Sequence, residues 1–260
     1  MAFVVKKPGD EVKQERRGYS AVLYGPPMVG KTTTLHDDSD WRVCLIDLDK
    51  NSTTVEESEN VTIIGVDTFD EYLSVKQGVN TGTWKYPGGE LKMDFDMYAI
   101  DSFTTLEEKI KRYVVEKYAP NRRREIQSKF GAQSDWGDLQ DIEIGEVRDW
   151  QAMTKRAVNP VNVLWIGHDN IVKNDMGQAS ATELLLQGNY AAPRIASAVD
   201  AMFYMFKMEK DGKIGRGIYT IDKGIYKADA RIAIERKGDI PSVIWFPKWS
   251  KIFPMLGYKK

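Results

Sequence analysis

Residues 25–32 read Gly-Pro-Pro-Met-Val-Gly-Lys-Thr, which fits G-x-x-x-x-G-K-[ST]. The apolar run Tyr19–Tyr24 before it predicts a short buried strand. Thr33–Asp38 after it predicts the start of a helix. A strand that turns through two glycines into a helix aims several backbone N–H groups at one point, and a helix N-terminus favours negative charge there. The glycines allow that wrapping because they lack a Cβ. Lys31 adds an ammonium that can reach the β- and γ-phosphates of a polyphosphate, and the Thr32 hydroxyl can ligate Mg²⁺. The candidate cradle is Gly25, Pro26, Pro27, Met28, Val29, Gly30, Lys31, Thr32 and Thr33.

The rest of the chain must supply a sheet for that strand. Arg42–Leu48, Val61–Val66, Met97–Ile100 and Val161–Gly167 read as further strands. Phe69–Val79 reads as a helix capped at Thr68 or Asp67, and Thr104–Tyr118 and 142–158 as two more. Residues 80–96, with Gly82, Pro87, Gly88 and Gly89 among aromatics, predict a β-hairpin insertion. The polar stretches 119–140 and 169–192 read as loops, the second a mobile one. Late strands at 200–208, 214–221 and 241–246 have no helices between them and predict an antiparallel extension. Alternating strands and helices mean an α/β fold with a mostly parallel central sheet flanked by helices. We divide the chain into an N-terminal arm (1–18), a core (19–246) and a basic, aromatic tail (247–260).

A metal on the phosphates needs a second oxygen ligand near the loop. Asp101 ends the run Met97-Tyr98-Ala99-Ile100-Asp101, and ligands of open α/β sheets bind at strand carboxyl ends. Asp101 is therefore the candidate metal-side acid, acting through water, with Thr32 as the direct ligand. Hydrolysis also needs a group to orient water. Asp47 and Asp49 end the second strand, alternate onto the same face, and both qualify. His168 closes a later strand, where it either meets the γ-phosphate or plays a structural part.

Composition removes several other classes. Lys+Arg is 37 against Asp+Glu 38, so the chain as a whole is no basic nucleic-acid coat. The one cysteine, Cys44, cannot make an internal disulfide. Two histidines cannot build a multi-His site, which argues against catalytic Zn²⁺. No apolar run approaches the ~18–20 residues of a membrane span, and the start Met-Ala-Phe-Val-Val-Lys-Lys has no signal-peptide core. A cytoplasmic location without membrane contact is the expectation.

The ordered set of phosphate loop, Leu-Ile-Asp-Leu-Asp (45–49), Ala-Ile-Asp-Ser (99–102) and Trp-Ile-Gly-His-Asp (165–169) resembles the RecA-like P-loop ATPases. Ser134-Asp135-Trp136-Gly137-Asp138, Leu186-Gln187-Gly188 with Ala198-Val199-Asp200, and Gly238-Asp239-Ile240-Pro241 resemble the phage and prophage AAA-domain branch. That branch includes Sak-type single-strand annealing recombinases. The resemblance implies a RecA-like core binding ATP or ADP with Mg²⁺ between protomers of a ring or filament, in the host cytoplasm if phage-encoded. It places Lys31 and Thr32 in the phosphate loop and Asp101 at the metal. Asp49 stands where the family usually has a catalytic Glu, one methylene longer. The family's Lys-x-Arg finger, which reaches the neighbour's γ-phosphate, has its counterpart in Lys227 and Arg231, spaced more widely.

Two basic segments bear on nucleic acid. Residues 107–129 hold eight Lys/Arg against four Glu, including Arg122, Arg123, Arg124 and Lys129. The last twenty residues hold four Lys and no acid, with Trp245, Phe246, Trp249, Phe253 and Tyr258. Basic grooves with stacking aromatics suit single-stranded binding. The resemblance implies that the loops at 119–140 and 169–192, the second carrying Lys173, line a DNA channel. Single-stranded DNA is thus the expected partner, with a single-strand DNA-binding protein as a companion. Two other functions use the same loop: a small-molecule kinase with Arg122–Arg124 in a phosphate-clamping lid, and a nucleotide-gated module of replication or packaging that does not turn over. The Asp at position 49 favours the second of these.

Overall fold

The computed structural model describes residues 18–118, 133–156, 158–186, 191–210, 213–230 and 240–257. Six parallel strands form its centre: β1 (Ser20–Gly25), β2 (Val43–Asp47), β3 (Val61–Gly65), β6 (Met97–Asp101), β7 (Asn162–Lys173) and β9 (Ala201–Lys210). β10 (Lys213–Tyr219) and β12 (Val243–Trp245) extend it antiparallel, giving the order β12-β10-β9-β1-β7-β6-β2-β3. β8 (Ala179–Leu184) pairs with the outer half of β7, and the two-residue β11 (Asp229–Ala230) with β9. The expected insertion is the separate hairpin β4 (Thr83–Tyr86) with β5 (Gly89–Lys92). The α/β architecture expected from the sequence, a mostly parallel sheet flanked by helices with an antiparallel extension, is the one found.

Side-chain alternation splits β1 between two cores. Val22 and Tyr24 face one layer, made by α2 (Phe69–Thr81), α3 (Phe103–Tyr118), α4 (Gln133–Thr154) and α5 (Ala191–Ala198). Ala21 and Leu23 face the other, made by α1 (Thr33–His36) and α6 (Trp249–Leu256). Burial on both faces is why the central strands read as unbroken apolar runs. The cap of α2 is as expected. Thr68 Oγ1 accepts from Glu71 N–H at 3.1 Å, and the Glu71 carboxylate accepts from Thr68 N–H at 3.3 Å.

Three stretches differ from expectation. Part of the segment read as a loop at 119–140 is helical, since α4 starts at Gln133 rather than near residue 142. Ser134, Asp135 and Gly137 are poor helix formers, but Leu139, Ile144, Val147 and Trp150 are buried in the core beyond them. The strand at 161–167 does not stop at His168. It runs on to Lys173 and returns as β8. This outer half is solvent-facing, so it lacks the apolar run that marked the inner half. Its turn is closed by Asn174, whose Oδ1 accepts from the N–H groups of Met176 and Gln178 at 3.0 and 2.9 Å. Lastly, the aromatic C-terminal stretch contains α6, with Trp249 and Phe253 fully buried. They pack on the core as Phe253 stacks on Trp41, centroids 5.6 Å apart, so they are not available for base stacking.

Candidate functional site

The loop between β1 and α1 depends on its two glycines. Gly25 and Gly30 have φ of 155° and 97°, and Met28, 90% exposed at the crest, has φ 58°. A Cβ on Gly25 would lie 2.5 Å from the Met205 carbonyl oxygen. β9 therefore holds the base of the loop so closely that only glycine fits. Lys31 is buried and turned into the loop, its Nζ donating to the carbonyls of Gly25 and Pro26 at 2.8 Å each. Burial pulls its pKa down to about 8, against the opposing pull of Asp101, Asp169 and Asp49. Two carbonyls therefore hold a buried ammonium inside the loop.

Thr32 Oγ1 donates to Asp101 Oδ2 at 2.5 Å. Burial raises the Asp101 carboxyl to about 6, the Thr32 hydrogen bond partly offsetting it and Asp49 adding to it. The hydroxyl and the carboxylate thus meet beside the loop, as a Mg²⁺ with one direct oxygen and one through water requires. Among the described residues no group of three or more His, Cys, Asp or Glu could hold a metal by itself. A site completed by phosphate oxygens and water fits this donor set. The peptide bond Asp101–Ser102 is cis.

Of the two acids expected to end the second strand, only Asp47 lies in β2. β2 ends at Asp47, Leu48 is buried, and Lys50 takes φ 54°. Asp47 is 4% exposed and shapes that turn. Its Oδ1 accepts from Lys50 N–H at 2.8 Å, and its Oδ2 from the Ser52 hydroxyl at 2.6 Å. Strand alternation does not carry past the strand's end, which is why it could not rank the pair. Asp49 is half-buried and within 3.3 Å of Ser102 Oγ.

His168 pairs in register with Gly25, beside the loop. Burial first, and then the Lys31 charge, lower its pKa, and among the described residues its buried Nδ1 has no hydrogen-bond partner. Asp169, next to it, accepts from Tyr204 Oη at 3.1 Å. Lys227 sits in the turn before β11, half exposed and 3.3 Å from Asp222 Oδ2. Lys173 is exposed at the end of β7. Arg122, Arg123, Arg124, Lys129 and Arg231 lie outside the described residues. Sequence reasoning missed Lys207, whose Nζ donates to the Met28 carbonyl, and Arg216, whose guanidinium lies against Gly30. It missed them because β9–β10 pairing, not sequence proximity, brings them to the loop.

Fold and loop together define a P-loop nucleotide-binding protein of α/β fold. The chain belongs to the AAA-domain family AAA_24, whose model matches residues 17–231. Nucleotide hydrolysis is the general chemistry of such P-loop NTPases. No curated protein sequence matches it significantly. Similar solved structures include the KaiC-like protein PH0186 from Pyrococcus horikoshii OT3, 9% identical over 78% of each chain with TM-score 0.41. The flagellar accessory protein FlaH from Methanocaldococcus jannaschii is 8% identical over 80% of each chain, TM-score 0.37. The RadB recombinase is 15% identical over 78% of this chain and 80% of its own, TM-score 0.41. Among the described residues no helix is long and apolar enough to cross a membrane.

Proposed function

We propose that this chain is a Mg²⁺-dependent ATPase acting on single-stranded DNA in phage-type recombination, by annealing or strand exchange, as a homo-oligomer. The observation that carries the nucleotide half is the convergence of Lys31, Thr32 and Asp101 at a loop whose glycines admit no side chain. The loop amides and Lys31 hold the phosphates, and Thr32 with Asp101 holds the metal, Asp101 through water. A Mg²⁺ held there would supply charge neutralisation to the phosphates. Asp49 orients the attacking water, because its rival Asp47 already spends both oxygens on the turn. Asp is shorter than Glu, so turnover is slow. Either Lys227 or Arg231 serves a neighbouring protomer's γ-phosphate.

The DNA half rests on a mechanical link and on charge. His168 lies beside the phosphate loop, and the same strand runs on to Lys173 on the exposed β7–β8 hairpin, its pairing with β8 shifting register between Val172 and Lys173. A γ-phosphate sensed at His168 reaches that hairpin through one rigid element, and its loss after hydrolysis releases the grip. Arg122, Arg123, Arg124 and Lys129 supply the remaining cations. The test is an ATPase assay with and without oligo(dT), with mass measured alongside. Turnover and assembly that rise with oligo(dT) support the reading. Turnover that rises only with a nucleoside monophosphate replaces it with a kinase.

A further inference from the structure

A cavity of about 170 Å³ opens beside the phosphate loop, lined by Thr34 and Asp37 from the α1 side and by Met205, Ile214, Phe246 and Pro247 with two cations. The cations are Lys207 and Arg216, directly opposed on β9 and β10. Like charges facing each other across a ladder destabilise it unless something between them is negative. Both reach the loop, Lys207 at the Met28 carbonyl and Arg216 at Gly30, where a Cβ would lie 2.8 Å from its Nε. Phe246 continues the β10–β12 ladder, its N–H donating to the Arg216 carbonyl at 2.9 Å. It holds a left-handed φ of 48° and is 68% exposed. A bulky residue in that region carries strain, and nothing buried is gained by placing its ring in water.

We propose that this cavity is the nucleoside half of the site, with Phe246 stacking on the base and the Lys207–Arg216 pair holding the negative charge next to it. The inference rests on the phosphate loop binding a nucleotide, and deepens that reading. An apolar wall with a few placed polar groups, contiguous with a phosphate cradle, matches a flat aromatic base on a charged tail. Asp37, the one carboxylate among the described lining residues, can accept from an exocyclic amine of a purine. The antiparallel extension thereby completes in cis a site that β1 and α1 leave half built.

The test is calorimetry with ATP and with inorganic tripolyphosphate, each with Mg²⁺, on the full chain and on F246A and F246W. Phe246 is exposed, so these variants fold. F246A should weaken ATP binding by about tenfold or more, leave tripolyphosphate unchanged, and F246W should restore ATP. An unchanged ATP affinity in F246A, or equal losses for both ligands, overturns the nucleoside assignment alone. Failure of the unsubstituted chain to bind either ligand overturns the phosphate-loop reading and this one together.

Discussion

The Trp249 indole donates to Thr34 Oγ1 at 3.0 Å, tying the chain's last helix to the turn that follows the phosphate loop. The same Thr34 hydroxyl donates to the Lys31 carbonyl at 2.6 Å. Beside it the buried Asp38 Oδ2 accepts from Ser250 N–H, capping α6 at its first turn. The C-terminal stretch is therefore part of the nucleotide site's support. Trp249→Ala should cost roughly 3–5 kcal/mol of stability, and Trp249→Phe about 1 kcal/mol for the lost hydrogen bond. Urea unfolding measures both. Trp249→Phe should also weaken ATP binding, because α1 loses a tether; an unaltered affinity would separate α6 from the site.

Asp49 and Asp47 are separated by what they already hold. Asp49→Asn should slow ATP hydrolysis on the order of a hundredfold while sparing binding. Asp47→Asn should leave the chemical step near its original rate and lower stability by roughly 1–3 kcal/mol, as its turn loses charge-assisted acceptors. Single-turnover hydrolysis and thermal melting read the two effects. The opposite pattern would make Asp47 the water-orienting group.

How far the sequence reaches depends on whether a signal is local. The loop, its flanking strand and helix, Asp101 at a strand end and the Thr68 cap are each written in a few adjacent residues, and each was legible. The first turns of α4 were hidden by Ser, Asp and Gly, whose weak propensity is overridden by packing of Leu139 and Trp150. Lys207 meets Met28 from 179 residues away through a strand pairing whose register no local pattern specifies. Trp249 and Phe253 have the same composition signal whether they stack on a base or fill a core. Only the third dimension decides that.

Glu143 is fully buried on α4, facing Glu107 of α3. Burial first, and the neighbouring carboxyl next, push its pKa up to about 9. In the folded chain it is neutral at pH 7, whereas in the unfolded chain it ionises above its ordinary 4.5. The folded pKa is the higher one, so its contribution is complete below pH 4.5 and is lost as pH rises towards 9. Glu143→Gln should flatten that decline and raise stability at about pH 8 by on the order of 1–3 kcal/mol. Denaturant midpoints between about pH 5 and 9 measure it. Parallel curves for the two proteins would show that the carboxyl is not held neutral.

On the proposed function, single-strand binding through the basic segments should depend on salt. Replacing Arg122, Arg123 and Arg124 with Ala should weaken it and lower the slope of log K against log salt by about two, at roughly 0.7 per phosphate contact. Lys173→Ala should lower the slope by less than about one. Fluorescence anisotropy with labelled oligo(dT) over a salt series gives both slopes. Slopes equal to that of the unsubstituted chain would place the DNA path elsewhere.

The most direct measurement is calorimetric titration of Mg²⁺-ATP into the chain and into Lys31→Ala. The unsubstituted chain should bind, and removing the Lys31 ammonium should abolish measurable binding while the fold, read by circular dichroism, is kept. Equal affinity in the two proteins would contradict the account, because a phosphate cradle cannot be indifferent to that charge.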